Sequence, residues 1–223
     1  VGYLKLQPFI VTMAGMFFGR GMTAVICTEQ VSVSSSELFV KIAQAKIELP
    51  FGAYTNNRGV LQVPYVRIPV VIALIVLILV FLMLKYTKFG RSLYAVGGSE
   101  QSAVMMGLDV AKTKLKAYVL SSVLCSIGGI CYCLNTMSGS VQQATGLEMD
   151  AISSAVIGGT LLTGGVGNVI GSFFGVLING TISTLVKTNG KLLSSWSNIA
   201  VAALLCFFII LQSVFAKLKE KNK

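Results

Sequence analysis

The sequence predicts an all-α fold, a polytopic transmembrane helical bundle with about six spans. Three observations support this fold class. Hydrophobic residues make up 54% of the chain and charged residues only 12%, whereas a soluble domain carries about 25% charged residues. The apolar residues form runs of about the length that a bilayer-spanning helix needs, roughly 17–25 residues. The basic residues gather on alternate connections between those runs, which is typical of a membrane protein with one orientation.

Six apolar stretches account for the predicted spans. They are Pro8–Cys27, Ile68–Leu84, Ala117–Met137, Ala151–Thr163, Val169–Val186 and Ile199–Phe215. All of them have spanning length except Ala151–Thr163, which is short. This stretch crosses a bilayer only if Leu147–Asp150 extend it, and otherwise it is a half-helix.

The first span carries a packing signature and a charge. Gly15 and Gly19 lie four residues apart on one face, a spacing that lets helices approach closely in lipid. Arg20 lies within or near the end of the span, where a charge is costly unless it reaches the interface or faces water. Arg20 is therefore either a snorkelling end residue or part of a polar path.

The polar connection between the first two spans, residues 28–65, is predicted to lie outside the cell. Within it, SELFVKIAQAKIEL can form a short surface helix. Two interpretations of this external loop stay open, a plain solvated connection and a docking surface for another protein.

The next connection, residues 85–116, is predicted to be cytoplasmic. It lies between two uncharged runs and concentrates basic residues, which mark the cytoplasmic side of a span. These are Lys85, Lys88, Arg91, Lys112, Lys114 and Lys116. A basic tail after the last span is assigned to the same side, so the net charge of +10 indicates membrane orientation rather than nucleic-acid binding.

The cytoplasmic loop contains signals for a short amphipathic helix at the membrane surface. Ser99 can cap this helix, and Glu100 favours the positive end of its dipole. Gly107 can close it, and Asp109 is placed to cap the helix that follows. The alternative is an ordinary solvated connector with turn glycines.

Glycine is concentrated near the end of the chain. GGVGN is followed by no Lys-Ser or Lys-Thr pair, so it is not a nucleotide-binding loop. Gly167, Gly171 and Gly175 instead repeat every four residues and predict a closely packed helical face. Residues 164–167 are predicted to form a tight turn between two spans.

Uncharged polar residues near the spans have two possible roles. Asn135, Gln142 and Asn179 offer donors and acceptors without fixed charge, which a neutral hydroxyl-rich ligand needs. Hydrogen bonding between helices explains each of them equally well. The chain has no His, no CxxC pair and no nucleophile motif, so we expect no metal, no cofactor and no catalytic residue.

One segment resembles a known family. GRSLYAVGGSEQSAVMMGLDV is similar to the cytoplasmic coupling loop of permease subunits in ABC importers of monosaccharides. The residues that match the family's pattern are Gly90, Arg91, Tyr94, Ala95, Gly97, Gly98, Ala103 and Gly107. Ser99 stands where Asn is usual and Leu108 where Ile is usual, and both changes are mild.

Two further stretches extend the resemblance over most of the chain. Residues 147–175 match the family's second signature, and LQPFIVTMAGMFFGRG (Leu6–Gly21) matches its mid-chain span. The spacing in LQPFIVTMAGMFFGRG and in GKLLSSWSNIAVAALL looks closest to permeases of galactofuranose-type importers. The chain corresponds to the C-terminal portion of the family fold, so we expect the N-terminal part to be missing and residues 1–223 to form a single permease domain.

The resemblance implies a transmembrane permease of the bacterial plasma (inner) membrane that imports a galactofuranose-like monosaccharide by alternating access. ATP hydrolysis would belong to a separate ABC ATPase subunit, so this chain would not be an enzyme. Further partners would be a second homologous permease, an extracytoplasmic sugar-binding protein and membrane lipid, but no nucleic acid. Alternatives are a permease for another sugar such as ribose, and a secondary transporter or channel.

The resemblance also implies roles for particular residues. In the coupling loop, Arg91, Tyr94 and Glu100 would contact the ATPase, while Gly97, Gly98 and Gly107 would shape the loop. The polarity of the residues themselves, rather than the resemblance, makes Arg20, Asn135, Gln142 and Asn179 candidates for the substrate path.

Overall fold

The structure is a computed structural model that describes residues 6–33, 36–48, 54–55, 61–62, 65–188 and 195–221. Across these ranges the chain is predominantly helical, which confirms the predicted all-α, polytopic fold class. The described part of the chain contains nine helices: α1 (Pro8–Ile26), α2 (Glu37–Gln44), α3 (Ile68–Tyr86), α4 (Lys88–Gly98), α5 (Glu100–Met105), α6 (Val110–Thr136), α7 (Leu147–Ile157), α8 (Val169–Thr188) and α9 (Ser195–Lys221).

Six very short strands among the described residues pair in three antiparallel two-stranded sheets that the sequence did not predict. They are β1 (Val31–Ser32), β2 (Lys46–Glu48), β3 (Tyr54–Thr55), β4 (Leu61–Gln62), β5 (Tyr65–Arg67) and β6 (Ser138–Gly139). β1 pairs with β6, β2 with β5, and β3 with β4. β1 to β4 lie in the segment predicted to be external, and β5 begins at its last residue, Tyr65. β6 follows the predicted span Ala117–Met137. The strands tie connections between the helices to one another without changing the helical class.

Four of the described helices are long and apolar enough to cross a membrane: α1, α3, α6 and α8. α3 is the most apolar, with a mean hydropathy of 3.0 in its best window. α9 is 27 residues long and contains the shorter apolar segment Ile199–Leu211. α7 has only 11 residues. It does begin at Leu147, but it ends at Ile157, so it has the length of the predicted half-helix.

The chain divides into two compact units, and each is described by itself. The first comprises Val1–Leu79 and Lys114–Gln143, and the second Val80–Thr113 and Ala144–Lys223. In the first unit, α2 forms inside the predicted surface-helix segment. Parts of the predicted external loop, residues 34–35, 49–53, 56–60 and 63–64, lie outside the described residues.

Backbone pairing and one side-chain contact hold the connections of the first unit together. Val31 pairs with Gly139 and Ser32 with Ser138, while Lys46–Glu48 pair with Tyr65–Arg67. The guanidinium of Arg67 donates through Nη1 to Oδ1 of Asn135 at 3.0 Å. These contacts join segments that are far apart in the sequence.

The second unit is built around α7, which packs against both α8 and α9. Ser153, Ser154 and Val156 of α7 are buried. A Cβ at Gly171 would overlap the carbonyl oxygen of Gly158, and one at Gly175 would overlap that of Ser154. The missing side chains on α8 thus let its backbone lie directly against the end of α7.

α9 continues helically through the predicted basic tail as far as Lys221, while Lys223 lies outside the described residues. Helix propensity favours this extension, because Lys, Leu, Ala and Glu in the tail are all good helix formers.

Candidate functional site

The loop predicted to be cytoplasmic, residues 85–116, contains two helices, α4 and α5, where the sequence predicted one. α4 was missed. Thr87 caps it by accepting a hydrogen bond from the backbone N–H of Gly90 at 3.1 Å. Phe89, Leu93 and Val96 repeat at i, i+4 and i+7, and all three are half-buried. That apolar spacing after a capping Thr is the signal that could have predicted the helix.

α5 agrees with the prediction at both ends. The Ser99 hydroxyl accepts from the N–H of Ser102 at 3.2 Å, as an N-cap should. Gly107 follows the helix with a φ of +79°, a conformation that glycine adopts without steric cost. Ala103, one of the residues that match the family's pattern, is 0% exposed, so packing explains the small residue there. Glu100 is exposed.

Gly97 and Gly98 do not shape a loop as predicted, because they are the last two residues of α4. Neither has a positive φ. The physical reason for glycine at position 97 is instead a close approach. A Cβ there would lie 2.7 Å from the backbone nitrogen of Gly165, which is nearer than a carbon side chain can come.

The partner of α4 is the glycine turn, which we define as residues 158–168 between α7 and α8. Gly164 and Gly165 have φ values of +92° and +76°, so the turn needs glycine at both positions. A Cβ at Gly165 would lie 2.6 Å from Cα of Gly98. The two backbones are therefore in direct contact.

A side-chain hydrogen bond fixes the same contact. The Tyr94 hydroxyl donates to the carbonyl oxygen of Gly167 at 3.1 Å. One residue later, Oδ1 of Asn168 accepts from the N–H of Ile170 at 3.0 Å and caps α8. α4 is thereby attached to the segment that follows α7 and starts α8.

Asp109 caps α6 as predicted. Its Oδ1 accepts from the backbone N–H of Lys112 at 3.0 Å, and its Oδ2 lies 3.0 Å from the ammonium of the same residue. The backbone hydrogen bond from Lys112, followed by that residue's side chain, lowers the pKa of Asp109 below its usual value. The carboxylate therefore stays ionised at physiological pH.

The residues predicted to line a polar path have separate surroundings. In the first unit, Asn135 is exposed and accepts from Arg67, and the backbone N–H of Gln142 donates to the Ser140 hydroxyl at 3.3 Å. Arg20, also in that unit, is half-buried. Their role in substrate passage stays a prediction.

Asn179 belongs to the second unit and is only 6% exposed. Its amide nitrogen lies 3.3 Å from the carbonyl oxygen of Asp150. It also lies 3.3 Å from the Ser153 hydroxyl and 3.2 Å from the Ser154 hydroxyl. Asn179 thus bridges α8 to α7, the helix–helix alternative that the sequence left open.

No group of three or more His, Cys, Asp or Glu side chains that could hold a metal ion occurs among the described residues. The contact between α4 and the glycine turn attaches these two segments to each other, and α5 presents an exposed surface beside them.

Comparison with known proteins gives a family and several relatives. A family model described as branched-chain amino acid transport system / permease component matches residues 1–215. The chain is 37% identical over 220 residues to the inner membrane ABC transporter permease protein YjfF of Escherichia coli, covering 99% of this chain and 63% of that protein.

The names of two other relatives each include a sugar. The chain is 33% identical to the fructose import permease protein FruG of Bifidobacterium longum and 31% identical to the ribose import permease protein RbsC of Bacillus subtilis. Each alignment covers 93% of this chain and 59% of the relative. The chain thus spans about 60% of the length of these relatives. No solved structure matches it.

Proposed function

Because the chain belongs to the family of branched-chain amino acid transport system permease components, we propose that it is the transmembrane permease part of an ATP-driven importer of a monosaccharide. It works in the bacterial inner membrane by alternating access and does no bond chemistry itself. The family description names amino acids, but the names of the 33% and 31% identical relatives are those of fructose and ribose permeases. These relatives favour a sugar.

The observation that carries this proposal is the attachment of α4 to the glycine turn. An importer driven by a separate ATPase needs a cytoplasmic surface that receives the movement and a rigid connection that passes it on. α5 and the exposed side of α4 supply the surface, with Glu100 as an ATPase contact. The backbone contact of Gly97 with Gly165 and the Tyr94 hydrogen bond supply the connection to α7 and α8.

The expected partners are an ABC ATPase subunit, a second homologous permease and an extracytoplasmic sugar-binding protein. The sugar-binding protein would dock on the external side, where α2 and the paired strands β2 and β5 lie. The finer proposal for the cargo is a galactofuranose-like sugar. It rests on the spacing in LQPFIVTMAGMFFGRG, while ribose and fructose are the alternatives suggested by the relatives' names.

Uptake of radiolabelled sugars tests the transport proposal. Cells that depend on the importer containing this chain should accumulate galactofuranose at least tenfold faster than cells lacking the gene. Ribose, fructose and L-arabinose are the competing cargoes, and preferential uptake of one of them would replace galactofuranose while leaving the importer proposal intact. Uptake of no monosaccharide above the deletion strain would contradict the proposal itself.

Cysteine labelling tests the orientation on which the coupling role depends. Gln101 of α5 and Glu37 of α2 are both exposed, so Gln101→Cys and Glu37→Cys are accessible in a background without native cysteines. An impermeant maleimide added outside intact cells should label position 37 and spare position 101. Labelling of position 101 alone would invert the orientation and remove α5 from the ATPase side.

A further inference from the structure

We propose that a cavity between the ends of α3, α4 and α8 binds the phosphate headgroup of an anionic phospholipid. The cavity has a volume of about 470 Å³, and its polar lining comes from Lys85, Arg91, Tyr94 and Asn168. Phe81 and Ile170 belong to its apolar lining. All of these residues lie in the second unit of the chain.

The cavity is located where two candidate membrane spans end. α3 is apolar up to its last turn, in which Lys85 lies. The apolar part of α8 begins at Val169, directly after Asn168. If these helices cross a bilayer, the cavity lies at the boundary between acyl chains and water, and the positive-inside pattern makes that boundary the cytoplasmic one.

The electrostatics of the cavity favour an anion. Lys85 and Arg91 both line it, and neither forms an ion pair within the described part of the chain. The first turn of α8, the positive end of a 20-residue helix, contributes to the same wall. Two cations and a helix dipole thus converge on one opening without a carboxylate in its lining.

The shape of the cavity favours a lipid over a soluble anion. Its lining is largely apolar, because Phe81, Leu84, Val169 and Ile170 contribute to it, so it suits acyl or glycerol carbons better than a hydrated ion. Lys85 lies along aromatic rings, with Nζ 5.4 Å from the centroid of Phe81 and 5.5 Å from that of Tyr86. An ammonium held beside rings at a span end is typical of a side chain that snorkels to lipid headgroups.

The proposal changes the role expected of Arg91. On α4 this residue faces the cavity at the end of α3, whereas Glu100 lies on α5. Arg91 would therefore hold lipid, and the ATPase contact would rest on α5. Because α4 is attached to the glycine turn, a bound lipid would also steady the position of the coupling surface. This inference needs α3 and α8 to be spans, but it needs neither transport nor a particular sugar.

Native mass spectrometry of the intact permease, extracted from membranes, tests the proposal. The probes are dioleoyl phosphatidylglycerol and dioleoyl phosphatidylcholine, which differ only in the headgroup. We expect the wild-type protein to bind phosphatidylglycerol preferentially. The double variant Lys85→Gln/Arg91→Gln should weaken that binding on the order of thirtyfold, the factor expected for two basic residues at a membrane surface.

Two matched variants distinguish lipid binding at this cavity from a general effect of the protein's charge. Lys114→Gln/Lys116→Gln removes the same charge from the same loop but not from the cavity, and it should keep the preference for phosphatidylglycerol. Lys85→Arg/Arg91→Lys retains both charges and should retain binding, as a site that recognises charge requires.

Three results would overturn the proposal. Equal binding of both lipids by the wild-type protein would remove the headgroup preference. Equal losses in the two charge-removing variants would make the effect one of net charge. Competition by soluble glycerol phosphate as strong as that by phosphatidylglycerol would identify a soluble anion as the ligand. All three readouts are independent of sugar uptake, so failure here is distinguishable from failure of the transport proposal.

Discussion

α1 and α8 carry the same small-residue spacing in different surroundings. Gly15 and Gly19 lie four apart on α1, as Gly171 and Gly175 do on α8. On α8, added Cβ atoms would overlap backbone atoms of α7, whereas at Gly15 and Gly19 no atom of the described residues lies within 4 Å of such a Cβ. The spacing therefore indicates a face that can pack closely in lipid, but not which partner packs there.

The largest expected effect is on the packed glycine face of α8. Gly171→Leu forces a side chain into the backbone of α7 and should destabilise the protein by about 3 kcal/mol or more. The same substitution at Gly180, on the same helix but with open space around it, should change stability by less than about 1 kcal/mol. Thermal unfolding of the detergent-solubilised permease measures both.

Gly15→Leu extends the test to α1. If its face is unpartnered in the functional protein, this variant should behave like the Gly180 variant. A loss as large as that of Gly171→Leu would show that α1 packs against something beyond this chain, such as a second permease. Equal stability of the Gly171 and Gly180 variants would remove the packing argument for α8 as well.

A smaller effect is expected at Asn179, which adds hydrogen bonds to the glycine contact. Asn179→Leu keeps the volume but removes the donors to Asp150, Ser153 and Ser154, and it should cost about 1–2 kcal/mol. Thr181→Val is the control, because the hydrogen bond that the Thr181 hydroxyl makes in the described part of the chain stays within its own helix, to the carbonyl oxygen of Leu177. A raised KM for sugar with unchanged stability would instead assign Asn179 to the substrate path.

The smallest expected effect concerns the contact between α4 and the glycine turn. Tyr94→Phe removes one exposed hydrogen bond to Gly167 and should cost about 0.5–1.5 kcal/mol. Tyr118→Phe on α6 changes the same group, and no hydrogen bond from the Tyr118 hydroxyl is found in the described part of the chain. Identical unfolding temperatures for the two variants would show that the backbone contact alone holds α4.

Local signals predicted much of this fold, and contacts between distant segments account for what they missed. The caps at Ser99 and Asp109 and the closing Gly107 each depend on neighbours within four residues, so the sequence reveals them. The role of Gly97 depends on Gly165, which lies far along the chain, and no local pattern distinguishes a glycine that allows close approach from one that shapes a turn. The pairing of β1 with β6 is equally non-local, and two-residue strands carry no periodicity that could predict it.

The central claim is that the contact of α4 with the glycine turn couples an ATPase to the spans. The adjacent glycines of α4 allow a direct test, because a Cβ at Gly97 would lie 2.7 Å from the nitrogen of Gly165, whereas the nearest atom to one at Gly98 is 3.9 Å away. Sugar uptake and ATP hydrolysis are measured together in proteoliposomes containing the complete importer with Gly97→Ala or Gly98→Ala.

We predict that Gly97→Ala keeps ATP hydrolysis, because α5 is intact, while uptake per ATP falls about tenfold, the factor for about 1.4 kcal/mol. Gly98→Ala should retain the wild-type ratio of uptake to hydrolysis. A wild-type ratio in both variants, with both proteins folded and assembled, would contradict the claim that this contact transmits the movement.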